Sequence, residues 1–354
     1  MLENSMSAFS EFSEGFKRTT AGVMLAGVLV ALLLLGALEV SLSRGWLWRL
    51  DVGWLLSDPT DDWARAVWSV KRAERSGRGD YVFIIGGSGA REALVSDESV
   101  QAMLAAEGRP LFQFVNLGTR NQSLYESLVL VENLPPARHG LVVMALTPSL
   151  FRDGLTEAHD AVYGTRIPLY SHTLVRMLES ADLLPTPALP INVIRFRPKL
   201  GHYIKGRLAH RTLFRSLTYQ HHFLLGTRPL RRVHLLPLLR KLSVQMRSFP
   251  ANAAFNFAVL ERSVRLAQHK GYRVLLVDLP RNPLSERVLY EPYLNSYRQR
   301  LHELSETTGA SYRDLHLLYQ FPPQYYYDHL HLLDWARTKF QDRFVGLLAE
   351  QLGT

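Results

Sequence analysis

The sequence predicts an α/β protein built on a parallel sheet of about five strands and held to a membrane by one N-terminal helix. Three observations predict this. Short, uninterrupted apolar runs alternate with helix-length segments, the pattern of strands buried on both faces. That alternation breaks once, between residues 150 and 254, and then resumes. Ahead of it, Thr19 to Leu38 is a twenty-residue stretch without a charge.

The uncharged stretch comes first in the chain. It is flanked by Lys17 and Arg18 before it and by Arg44 and Arg49 after it, with Trp46, Trp48 and Trp54 close by. A cleaved signal peptide has a shorter apolar core and a shorter leader than these eighteen residues. A buried core helix is the other alternative. The length favours an uncleaved anchor over residues 19–42, behind a tail at 1–18. The flanking cations balance, so they do not orient it. Residues 43–78 then read as a membrane-proximal linker. Trp63, Val67, Trp68 and Val70 among charged residues suit one amphipathic helix over 50–78.

The soluble domain is expected over 79–354. Tyr81 to Ile85 reads as the first strand. Ser99 to Glu107 reads as a helix with Gly108 as its stop. Leu111–Leu117 is the second strand, Leu124–Leu134 a helix stopped by Pro135-Pro136, and Leu141–Leu146 the third strand. After the break, Phe255–Lys270 is a helix, Tyr272–Leu279 a strand, Val288–Thr308 a helix and Ser311–Leu315 a weaker strand. Trp335–Leu352 closes the chain as a helix with Asp334 as N-cap.

The interval 150–254 reads as an insertion, rich in proline (Pro168, Pro185, Pro187, Pro190, Pro198). Between Asp182 and Glu261 it has no Asp or Glu, yet it holds thirteen Lys or Arg and five His. A long segment of one sign points to an anionic contact: a headgroup surface, an acidic polymer or nucleic acid. Arg120, Arg195, Arg197 and Lys199 are the candidate anion-binding residues. The 354 residues include no cysteine, which excludes disulfides, thiolate metal sites and cysteine nucleophiles. No cofactor and no metal site is expected.

Two short motifs carry the candidate chemistry. Tyr81-Val82-Phe83-Ile84-Ile85-Gly86-Gly87-Ser88 puts a serine on a glycine-rich turn after a buried strand, where parallel sheets bind ligands. A structural turn is the default for such a segment, and a dinucleotide turn is its rival. The rival fails on spacing, because Glu92 stands where its last small residue belongs and Asn116, not an acid, ends the second strand. The other motif is Tyr327-Asp328-His329-Leu330-His331. A three-residue offset lets Asp328 orient His331 while the other imidazole nitrogen faces Ser88. His329 is a competing base without a carboxylate at that spacing. A helix-entry loop with surface histidines is the bland alternative.

Together, on this strand rhythm, the two motifs resemble the SGNH (GDSL-type) hydrolases over about residues 79–354 minus the insertion. The resemblance implies a three-layer, flavodoxin-like fold with Ser88 as nucleophile, His331 as base and Asp328 as orienter. The second family block corresponds to Phe114-Val115-Asn116-Leu117-Gly118-Thr119-Arg120-Asn121. It implies an oxyanion hole from Ser88 with Gly118 or, by another alignment, Asn121. The asparagine of the third block is absent. Thr147-Pro148-Ser149-Leu150-Phe151 stands there instead and resembles the membrane-anchored envelope acyltransferase branch, which includes the DltD proteins of teichoic-acid D-alanylation and the proteins of alginate and peptidoglycan O-acetylation. That branch implies O-acetylation or other acyl transfer to a cell-envelope polysaccharide or other anionic polymer. It also implies a membrane-bound O-acyltransferase partner, contact with the anionic membrane surface, no nucleic acid, and a single-pass protein of the bacterial cytoplasmic membrane with its domain outside. A tethered serine esterase, and a degenerate polymer-binding domain, are the alternatives.

Overall fold

The computed structural model describes residues 3–77, 80–184, 191–221, 228–286, 289 and 291–353, with side chains from residue 21 onward. Helix α1 runs Glu3–Ser43; its Ala21–Ser43 stretch is apolar except for Glu39, and residues 21–37 are exposed. At 1.5 Å per residue that stretch is about 35 Å long, enough for a hydrocarbon core of about 30 Å. The single helix expected over 50–78 is instead two, α2 (Val52–Leu55) and α3 (Asp62–Ser76). Two aspartates break it. The Asp51 and Asp61 side chains each accept from a backbone N–H two or three residues on, and so each starts a helix. α3 is also no loose linker, because Trp63, Val67 and Val70 pack into the core.

The sheet follows: β1 (Tyr81–Gly86), α4 (Ser88–Glu92), α5 (Asp97–Ala106), β2 (Gln113–Asn116), α6 (Leu124–Asn133) and β3 (Gly140–Leu146). The interval that breaks the rhythm is helical: α7 (Leu155–Val162), α8 (His172–Ser180), α9 (Asn192–Arg195), α10 (Arg197–Ala209) and α11 (Arg232–Gln245). Then come α12 (Phe249–His269), β4 (Tyr272–Asp278), α13 (Pro283–Glu286), α14 (Glu291–Thr308), β5 (Ser311–Asp314), α15 (Leu315–Tyr319) and α16 (Asp334–Gly353). α12 starts six residues before the expected Phe255, because Pro250 lies in the first helical turn, where a missing N–H costs nothing. Pro185, Pro187, Pro190 and the expected helix start at Val288 lie outside the described residues.

The five strands are all parallel, in the order β2-β1-β3-β4-β5. Side chains alternate between two cores. Phe83, Ile85, Val142 and Met144 face one, with α3, α6, α12 and α14; Val82, Ile84, Leu141 and Val143 face the other, with α5 and α16. Because both faces are covered, β1 and β3 read as unbroken apolar runs. The order reverses between β1 and β3. The crevice outside their carboxyl ends is therefore where such a sheet holds a ligand, and β1 delivers Ser88 there.

Candidate active site

β1 and β3 pair with Gly86 opposite Ala145. A Cβ on Gly86 would lie 2.5 Å from the Ala145 carbonyl oxygen, so only glycine lets the strands stay this close at the turn. Gly87 precedes α4, and Ser88 is the first helical residue. The first amide engaged within the turn belongs to Ala90, which donates to the Gly87 carbonyl. Gly89 has a separate role. A Cβ there would meet Leu330 at 3.1 Å, so this glycine lets the Asp-x-x-His loop settle on the serine turn.

That loop organises itself around Asp328. One carboxylate oxygen accepts the backbone N–H of Leu330 and of His331, each at 2.8 Å. The other accepts His331 Nδ1–H at 2.8 Å. A carboxylate only accepts, so the proton sits on Nδ1 and leaves Nε2 unprotonated. Nε2 lies 2.9 Å from Ser88 Oγ and accepts its hydroxyl proton. The Asn282 amides hold the loop from below: Nδ2 donates to the Asp328 carbonyl at 2.9 Å and the backbone N–H to the His329 carbonyl at 3.1 Å. Asp328 and His331 are both buried.

Burial alone would raise the Asp328 carboxyl, but the hydrogen bond and charge of His331 outweigh it and hold the carboxyl below its usual range. Burial would likewise lower His331; the Asp328 hydrogen bond and charge win and raise it. His329 lies 3.9 Å from Asp328, beyond hydrogen-bond reach, and burial lowers its pKa. The choice between the two histidines thus falls on His331.

Ser88 and His331 open into a cavity of about 810 Å³. Its walls include Arg152, Asp153, Glu157, Arg166 and Lys241, with Leu238 and Leu242 from α11. Asp153 is pushed up to about 7, first by burial and then by Glu157, against Arg152 and Arg166. Among the described residues, no cluster of three or more His, Asp or Glu side chains is placed to hold a metal ion.

The oxyanion candidates separate. Ser88 and Asn121 line the cavity. Asn121 has φ 53°, the left-handed conformation that asparagine tolerates better than most residues. Gly118 is a correction. Its N–H donates to Asn116 Oδ1 at 2.8 Å, and a Cβ there would meet the Arg91 backbone at 2.7 Å, so this glycine serves packing and its amide is already engaged. Sequence reasoning passed over a substitute. At the end of β3, where the sequence resemblance leads one to expect an asparagine, Thr147 Oγ1 and Ser149 Oγ lie 2.9 Å apart on the cavity wall. The hydroxyls in Thr-Pro-Ser were the available signal, as was Asn282 after β4.

The anion-binding candidates separate too. Arg120 lines the cavity and bonds Asp62 at 3.2 Å and the Thr60 carbonyl at 3.0 Å. Arg197 is exposed. Arg195 and Lys199 are corrections: Arg195 is buried over the Tyr170 ring at 3.8 Å, and Lys199 is buried on Asp61 at 3.1 Å. Their partners come from outside the acid-free segment. A scan of protein families returns no matching family model, and no curated protein matches the chain.

Proposed function

We propose that this chain is a membrane-anchored serine acyltransferase of SGNH type, acting on a hydroxyl of a cell-envelope polymer. The observation that carries the reading is the unbroken chain Ser88 Oγ–His331 Nε2, His331 Nδ1–Asp328, at 2.9 and 2.8 Å, on the wall of a cavity. The strand order and the placing of both motifs at the carboxyl ends of the strands support the three-layer, flavodoxin-like family fold. The α1 stretch Ala21–Ser43 supports an anchor. The bacterial cytoplasmic membrane, with the domain outside it, and an O-acyltransferase partner rest on the family resemblance.

In this mechanism Ser88 Oγ attacks the carbonyl of an acyl ester donor while His331 Nε2 takes its proton. The tetrahedral oxyanion is met by the Ser88 and Asn121 amides and by the Thr147–Ser149 hydroxyl pair. Collapse expels the donor's alcohol or thiol, which takes the proton from His331 and leaves an acyl ester on Ser88. A polymer hydroxyl then enters the cavity, gives its proton to Nε2, attacks the ester and releases Ser88 with its proton restored. The cavity volume, far larger than a water needs, favours a polyol acceptor over simple hydrolysis. The engaged Gly118 amide favours a second reading, a polymer-binding domain without turnover.

Fluorophosphonate labelling of the full-length protein in detergent tests this. We expect labelling of the wild type and none of Ser88→Ala or His331→Ala. Wild type that does not label, or Ser88→Ala that labels equally, overturns both the acyltransferase and the esterase. Acyl transfer to an oligosaccharide, against release to water, then separates those two.

A further inference from the structure

Helix α10 is turned inside out. A soluble surface helix buries its apolar stripe and shows its charges. α10 does the opposite: Lys199 is 7% and Arg207 0% exposed, whereas Ile204 is 50% and Leu208 57% exposed. Ile204 and Leu208 are four residues apart and so lie on one face, and Lys205 and Arg197 extend that face. The buried cations have partners inside. Lys199 pairs with Asp61, and Arg207 donates to the carbonyls of Gly53 and Thr212. The orientation is therefore held by specific partners.

The same outward character continues along the chain. Phe214, five residues past the helix, is 88% exposed, and Leu213 beside it is exposed, with Arg211 and Arg215 on either side. Trp46, Leu50 and Trp54 are exposed between α1 and α3, near Arg44 and Arg49. These segments are one assembly. Glu39, the first charge after the apolar run of α1, accepts from the Asn192 and Val193 backbone N–H groups that open α9. Tyr203 of α10 donates to the Trp54 carbonyl, and the Leu217 N–H to the Gly53 carbonyl.

From this we infer that α10, the 211–215 loop and the Trp46–Trp54 segment form a platform seated in the interface of the bilayer that α1 crosses, with anionic lipid headgroups as its partner. Two observations name the occupant. The surface is continuous with the exit of the membrane span, through Glu39. Apolar side chains and cations are interleaved on it, which suits an apolar layer beneath an anionic one. Aromatic rings such as Trp46 and Trp54 sit well at that depth. The basic segment is thus a membrane seat more than a polymer groove. The inference rests on α1 as a span and is independent of the chemistry at Ser88.

The chain has no cysteine, so single thiols report single sites. Full-length Ile204→Cys, Leu208→Cys and Phe214→Cys, each carrying an environment-sensitive fluorophore, are reconstituted into phosphatidylcholine vesicles with phosphatidylglycerol and a quencher on the acyl chains. Leu29→Cys in α1 is the positive reference, and Leu111→Cys, exposed at 79% before β2, the aqueous one. We expect quenching at 204, 208 and 214 at least about threefold above that at 111, falling when phosphatidylglycerol is omitted or salt is raised. Three platform sites no more quenched than 111, beside a quenched Leu29 site, overturn the platform and leave the anchor standing. Quenching absent at Leu29 overturns both. Shielding that lipid quenchers do not reach, and that grows with protein density, overturns the lipid partner in favour of a second copy of the chain. Quenching indifferent to anionic lipid and salt overturns the headgroup contact.

Discussion

Replacing Asp328 with asparagine separates the fold of the site from its chemistry. The residue's two oxygens do different work. Oδ1 accepts the Leu330 and His331 amides, and an asparagine Oδ1 does the same, so the loop keeps its turn. Oδ2 accepts from His331 Nδ1, and the asparagine NH₂ in its place only donates. His331 then presents an unprotonated Nδ1 to that donor and a protonated Nε2 to Ser88, the wrong face for a base. For a serine triad whose orienter is changed in this way, the expected loss is about 10⁴-fold in rate, roughly 5.5 kcal/mol of transition-state stabilisation. The assay is the rate of fluorophosphonate labelling of full-length Asp328→Asn, read against pH. The pH sign follows from the same contact. The base works neutral, so wild-type labelling falls as pH drops through the raised pKa of His331. Without the carboxylate, burial dominates and lowers that pKa, so the acid limb of Asp328→Asn moves to lower pH. A variant that labels within about tenfold of wild type, or keeps the wild-type acid limb, refutes the assignment of Asp328 as orienter.

Three further outcomes follow from the geometry. Thr147→Val combined with Ser149→Ala removes the hydroxyl pair and should slow labelling by about 10²-fold with folding intact; no change would mean that backbone amides carry the oxyanion alone. Gly86→Ala puts a Cβ against the backbone and Cβ of Ala145 and against the Ala90 Cβ, none of which is a flexible end, and should cost about 2–3 kcal/mol in the denaturant midpoint. Asp153→Asn should stabilise the protein by about 1–2 kcal/mol at pH 8 and hardly at pH 4. Its folded-state pKa of about 7 lies above the unfolded value, so the destabilising charge develops between those two pKa values as pH rises.

The parallel sheet and the Ser88–His331–Asp328 arrangement were legible in the sequence. A strand buried on both faces is an uninterrupted apolar run, so β1 and β3 stand out as words in the text. The Ser88 turn needs Gly86 for an approach to backbone that no other residue allows, and Gly89 sits close against Leu330; glycine is visible in sequence. Asp328 and His331 are three residues apart, so their pairing is local. What was not legible depends on partners far away in the chain. The amide of Gly118 is engaged by Asn116 through a turn that reads equally well as an open loop. The Thr147–Ser149 pair lies on the same cavity as Ser88 because β3 is the neighbour of β1, which is a property of strand order and not of either residue.

The basic segment shows the same limit in the opposite direction. Its thirteen cations without an acid read as an unneutralised surface, yet the structure buries several of them. Asp61, before the sheet, holds Lys199, and the Gly53 and Thr212 carbonyls hold Arg207. Asp62, beside Asp61, holds instead the buried Arg91 at 2.7 Å, Arg120 at 3.2 Å and the Tyr219 hydroxyl at 2.7 Å. Arg91 is three residues from Ser88. Helix α3, the Tyr219 segment and the Ser88 turn are therefore braced by one carboxylate. Arg91 also meets the buried Glu92 at 3.1 Å, so the brace is part of a buried charge network whose members support one another. Charge counted along the chain overstates what the surface displays, and the cations left outside, interleaved with Ile204, Leu208 and Phe214, are those that face the membrane in the platform proposed above.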